Sequence, residues 1–72
     1  MRHLTEEDPK TLFGNRVREI RKAKGITQEA LAYMAGIDRG YMGHIERGTR
    51  SISIQKIHQI AKALEVSPKE LF

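Results

Sequence analysis

Cysteine and tryptophan are absent from the 72 residues, and the aromatic complement stops at two Phe and two Tyr. Without cysteine, neither disulfides nor thiolate metal sites brace the fold, which fits an intracellular setting. The core must be assembled from Ile, Leu, Val, Ala and Met, a set that suits packed helices better than sheets. Proline occurs only twice, and Pro9 and Pro68 each read as the first residue of a helix. No apolar run approaches the roughly 20 residues that cross a bilayer, and the opening residues are polar and charged, without an apolar signal region. A spanning segment and a recognisable secretion signal are therefore excluded, and the expected location is the cytoplasm.

Catalytic constellations are missing as well. His3, His44 and His58 have no metal-ligand spacing, no glycine-rich loop follows a strand, and no acid pair has an evident pocket. The reading is of a protein that is not an enzyme, without metal, cofactor or an evident small-molecule ligand.

What is present is positive charge. The net charge is +4, which favours an anionic partner, and its distribution says more than its total. Arg16, Arg18, Arg21, Lys22 and Lys24 crowd one segment, and Arg39, Arg47 and Arg50 bracket another, while Glu6, Glu7 and Asp8 stand apart near the start.

Residues 1–8 lack periodicity and are expected to form a flexible leader, with one all-α domain over residues 9–72. A domain this small buries only about 60% of the surface its unfolded chain exposes. Asp8 and Pro9 open a first helix with Leu12 or Phe13, Val17, Ile20 and Ala23 on one side, and Gly25 ends it. Thr27 caps a second helix that runs to about Ala35, where Gly36 turns the chain. Asp38 caps a third, running to Arg47 and stopped by Gly48. Ser53 caps a fourth with Ile54, Ile57, Ile60, Ala61 and Leu64 inward. Ser67, Pro68 and Glu70 start a short fifth that ends in Leu71 and Phe72.

The second and third helices, Gln28 to Arg47, have the pattern of a helix-turn-helix. Apolar positions recur at Leu31, Ala35, Ile37, Met42 and Ile45, and small residues, Ala32 and Gly36, fall where two helices must cross closely. At about 100° per residue, Arg39, Gly43, Arg47, Gly40 and His44 fall within about 140° of arc on the third helix, with Met42 and Ile45 opposite. That free face is a candidate for entering the major groove of double-stranded DNA.

Arg39 stands at the end of the helix that docks deepest, and its planar fork matches guanine O6 and N7. The plainer reading is a surface arginine paired with Asp38 or a phosphate. His44 faces the same way as a donor to a base or phosphate, or as a solvated histidine. Gly40 and Gly43 each cost about 1 kcal/mol in a helix, and either let the backbone approach base edges or mark a poorly optimised helix. Tyr41 lies between the two faces, with packing the larger expected share and a base or phosphate contact the smaller. Thr27 and Gln28, at the start of the second helix, and Arg47, Thr49, Arg50 and Ser51, after the third, are candidates for backbone phosphate, against solvated turns of the same composition. Arg21 and Glu46 are expected to pair across the fold.

With these residues in place, RxxKGITQEALA, IDRGYM and IERGTR, spread between about Leu12 and Phe72, resemble the phage repressor and Cro type of DNA-binding domain, the XRE family. Within it, IDRGYMGHIERGTRS is most similar to the short controller proteins of restriction-modification systems. The resemblance implies a compact five-helix, lambda-repressor-like domain, a homodimer on a palindromic operator, and transcriptional regulation. It also implies a dimer surface on the last two helices, with Ile54, Glu65, Val66, Leu71 and Phe72 as candidates. The chain departs from the family at Gly40 and Gly43, where hydroxyl or amide side chains are frequent, so the operator sequence is not transferable. Two other readings stay open at this point: an antitoxin or other protein-interaction module on the same scaffold, and the DNA-binding half of a larger repressor.

Overall fold

The computed structural model describes residues 8–72, and among them the regular structure is entirely helical, with no strand. The elements are α1 (Pro9–Ala23), α2 (Gln28–Ala35), α3 (Arg39–Arg47), α4 (Ile54–Leu64) and a closing 3-10 turn (Pro68–Leu71). The fifth helix is thus tightened into a 3-10 turn, since its four residues are too few to sustain α-helical bonding. Residues 1–7 of the expected leader lie outside the described residues. Asp8 belongs to the domain, as the N-cap of α1.

Each α-helix begins on an oxygen-bearing side chain that takes one of the N–H groups the first turn leaves unpaired. Asp8 accepts from the Lys10 N–H at 2.8 Å, Thr27 from Ala30 at 3.0 Å, Asp38 from Tyr41 at 3.1 Å and Ser53 from Lys56 at 3.1 Å. The Lys10 ammonium also donates to the Asp8 carboxylate at 2.8 Å, and this bond holds the carboxyl below its usual range. A lowered carboxyl stabilises the fold above the ordinary aspartate pKa, and that share is lost as pH falls through the lowered value.

The helix ends are equally regular. In all four, the N–H of the residue after the left-handed one reaches back to a carbonyl in the last turn, Ile26 to Arg21, Ile37 to Ala32, Thr49 to His44 and Val66 to Ala61, at 2.9–3.0 Å. This closure needs one left-handed residue. Gly25, Gly36 and Gly48 supply it in three helices, but Glu65 does so in α4, at φ 61°. A side chain there is strained by about 1 to 2 kcal/mol, partly offset in a glycine variant by the freer unfolded chain. Glu65→Gly is therefore expected to stabilise the protein by about 0.5 to 1 kcal/mol, read as a higher urea midpoint. A lower midpoint would show that the Glu65 side chain makes a stabilising contact larger than the strain.

The core joins Phe13, Val17 and Ile20 of α1, Leu31, Ala32 and Ala35 of α2, Ile37 of the turn, Met42 and Ile45 of α3, Ile60, Ala61 and Leu64 of α4, and Leu71. Three expectations are corrected. Ala23 of α1 is exposed, whereas of the two alternatives Leu12 and Phe13 it is Phe13 that faces inward. Ile54 is 73% exposed rather than inward, because it is the first residue of α4 and lies beyond the end of the packed stripe. Leu71, taken for a dimer contact, is fully buried: the 3-10 turn points it into the core, while the Arg16 Nε–H holds the turn down by donating to the Glu70 carbonyl at 2.8 Å.

The α1–α3 crossing is built on glycine. A Cβ on Gly14 would collide with the carbonyl oxygen of Ile45 and stand 2.6 Å from that of Glu46. A Cβ on Gly48 would stand 2.7 Å from the Thr11 Cα. Two backbones therefore meet at both points.

Candidate nucleic-acid interface

The pose of α3 is set from beneath by one buried polar knot. The Arg21 guanidinium donates to Glu46 twice, Nε to Oε2 at 2.7 Å and Nη2 to Oε1 at 2.9 Å, and through Nη1 to the Ile26 carbonyl at 2.9 Å. Glu46 is 3% exposed and Arg21 8%. The Gln28 amide adds a third donor to the carboxylate, reaching Oε1 at 3.1 Å, so α1, α2 and α3 all converge on Glu46. No buried side-chain polar atom among the described residues lacks a partner, which is the condition under which such a pair is tolerated in a small core.

Above the knot, the buried arc of α3 runs through Ile45, Met42 and Glu46 to Gly43. Its exposed or half-exposed side carries Arg47, Gly40, His44 and Tyr41, with Arg39 at the open first turn. Gly43 is thus not on a bare face, as its place on the helical wheel implied. The Arg47 guanidinium and the Gln28 amide oxygen lie over it, 3.2 and 3.6 Å from where its Cβ would be.

The remaining candidates divide between exposed and occupied groups. Arg39 projects into solvent, its side chain 69% exposed, with Glu29 of α2 an ion-pair partner at 4.0 Å; the anticipated alternative partner, Asp38, is instead capping Tyr41. At that exposure and distance the ion pair contributes little and leaves the guanidinium fork available. His44 Nδ1 lies 2.8 Å from Thr49 Oγ1, which orients the half-exposed ring. Tyr41 has its hydroxyl donated to the Ser51 carbonyl at 2.6 Å, with the Lys56 ammonium 5.8 Å from its ring centre. Its visible work is to hold the α3–α4 connector. Thr49, Arg50 and Ser51 are exposed on that connector, and Thr27 is exposed beside Gln28. Gln28 itself is half-buried, with one amide hydrogen committed to Glu46.

On the opposite end, Phe72 is 78% exposed although its ring lies 5.3 Å from that of Phe13. Glu65 is exposed, and Val66 is half-buried against the core. Among the described residues there is no group of three or more His, Asp or Glu side chains positioned to hold a metal, and no helix long and apolar enough to cross a membrane.

The arrangement is a short rod held outward on a helical scaffold, its free side basic at both ends. Comparisons with known proteins agree with it. The helix-turn-helix family model matches residues 17–71. Control protein C.BamHI of Bacillus amyloliquefaciens is 49% identical over 61 residues, covering 83% of this chain and 75% of that protein. The crystal structure of the restriction-modification controller protein C.AhdI from Aeromonas hydrophila superposes with a TM-score of 0.86 at 49% identity, over 88% of this chain and 96% of that one. The clp gene regulator ClgR from C. glutamicum keeps a TM-score of 0.87 at 27% identity, over 92% of this chain and 86% of that one. The chain belongs to the helix-turn-helix family of XRE-type transcriptional regulators.

Proposed function

We propose that the protein binds double-stranded DNA as a homodimer and acts in the cytoplasm as a small controller of transcription, in the manner that the names of C.BamHI and C.AhdI suggest for those relatives. The single observation that carries this reading is α3. Its inner arc is clamped by the Arg21–Glu46 knot and the glycine crossing, while Arg39, Gly40 and His44 face outward. The residues that would read DNA are therefore held by rigid elements, Arg39 with only a weak ion pair and His44 oriented by Thr49.

In this mechanism the basic groups on Arg47 and Arg50, with Thr27, Gln28, Thr49 and Ser51, settle on the sugar-phosphate backbone and fix register. Arg39 donates its fork to a base edge, most naturally guanine, and His44 adds a contact through Nε2. Gly40, exposed and without a side chain, lets the helix backbone come close to the bases. Two copies joined through a surface that includes Ile54, Glu65, Val66 and Phe72 set two α3 helices about 34 Å apart, one turn of DNA. Leu71 has no direct part in that surface, since it fills the core of its own protomer.

Arg39→Ala is the direct test. It is expected to lose about 1 to 3 kcal/mol at the preferred site and to narrow the gap between that site and its single-base variants, measured by competition in fluorescence anisotropy. An equal loss on every sequence would move Arg39 to the phosphates. Arg50→Ala is expected to weaken all sequences alike and to lower the slope of log K against log salt by about 1. The preferred site comes from selecting bound duplexes out of a random pool, and half-sites not separated by whole turns would remove the two-fold arrangement.

A further inference from the structure

Gly43 occupies a helix interior, where glycine is unfavourable, yet it is buried, and what buries it is polar. The Arg47 guanidinium nitrogens lie 3.2 and 3.6 Å from the place of its missing Cβ, and Gln28 Oε1 lies 3.6 Å from it. Gln28 is held in turn, because its amide donates to Glu46 Oε1 at 3.1 Å while its amide oxygen lies over Gly43. Arg47 is four residues beyond Gly43, one turn along the same side of α3. A side chain at position 43 would stand where the guanidinium now lies.

From this geometry we infer that Gly43 is a positioning residue for Arg47. Its bare backbone forms a seat in which the Arg47 guanidinium folds back along α3 toward the first residue of α2. Without the seat, Arg47 extends past the end of α3 into solvent. With it, the cation stands over Gly43 at the junction of the two motif helices, where it addresses a backbone phosphate. The glycine serves placement of a cation, and close approach of the helix backbone to bases is left to Gly40. This inference rests on the DNA-binding reading above and specifies how one of its phosphate contacts is made.

The test compares Gly43→Ala and Gly43→Gln, each alone and combined with Arg47→Ala, for affinity to the selected duplex at two salt concentrations. Circular dichroism and urea unfolding check that each variant folds. Helix propensity predicts that Gly43→Ala unfolds at higher urea than the native chain. Gly43→Gln fills the seat and is expected to weaken binding roughly tenfold, as loss of a charge-assisted contact does, and to lower the salt slope by about 1. Gly43→Ala asks the guanidinium to yield only slightly and should weaken binding less. In the Arg47→Ala background both changes should have no further effect, since residues acting through one another are not additive.

Weakening by Gly43→Gln that persists undiminished without Arg47 would overturn the inference and return Gly43 to close approach. Native affinity in Gly43→Gln, with Arg47→Ala still weak, would show that Arg47 needs no seat, and full affinity in Arg47→Ala alone would remove it as a contact. A native chain that holds no duplex at low salt would instead strike down the DNA-binding reading, and this inference with it.

Discussion

Glu46→Ala is expected to lose about 3 to 5 kcal/mol of folding stability, the cost of stranding a buried charge. The change removes the acceptor for two Arg21 bonds at 2.7 and 2.9 Å and for the Gln28 amide. Arg21 keeps only the Ile26 carbonyl as a partner in this knot, at 8% exposure. Small domains have about 5 to 15 kcal/mol in all, so the variant should be partly unfolded at 37 °C and recognisable by a collapsed urea midpoint. The companion Arg21→Met/Glu46→Leu replaces both charges with apolar side chains and is expected to recover most of the loss, because a buried pair gains little over well-packed hydrocarbon. If Glu46→Ala costs under about 1 kcal/mol, Arg21 reaches solvent by a small rearrangement and the knot does not set the pose of α3.

Gly14→Ala should also destabilise the fold, for a different reason. The added methyl meets backbone on both counts, the carbonyl oxygens of Ile45 and Glu46, and backbone does not swing aside as a side chain tip does. Relief requires α3 to back away from α1, opening space around Val17, Met42 and Ile45, all of them essentially buried. Overpacking of this kind costs about 1 to 3 kcal/mol and more where the clash is with main chain, against a helix-propensity gain of about 1 kcal/mol. Net destabilisation of about 2 kcal/mol or more is expected in urea unfolding, along with weaker DNA binding in the surviving folded fraction, because α3 is displaced. A variant as stable as the native chain would mean that the two helices do not touch at this point.

Helix boundaries and caps were readable because each has a local chemical cause. Asp8, Thr27, Asp38 and Ser53 accept the bonds expected of them, and Gly25, Gly36 and Gly48 take the left-handed positions. The last cap was less plain, since Glu65 takes a left-handed place that side chains avoid. Gly14 escaped notice because nothing near it in the chain marks it. Its signal is long-range: it shares a stripe with Val17 and Arg21, at spacings of three and seven, and that stripe faces α3. Leu71 was misplaced because an apolar residue in a short terminal element looks the same whether it meets its own core or another copy; the tether from Arg16 to Glu70, long-range in sequence, helps turn it inward. The same limit explains Gly43, whose wheel position is outward but whose cover comes from two flexible side chains on different helices.

The groups that hold α3 in place, Gly14, Arg21, Met42, Ile45, Glu46 and Gly48, share no member with the outward set of Arg39, Gly40 and His44. Anchoring and reading are thus written in separate letters. On the proposed reading, substitutions in the outward set would redirect the protein to a new DNA target while its melting behaviour stays nearly constant, so divergence of specificity need not pass through unstable ancestors.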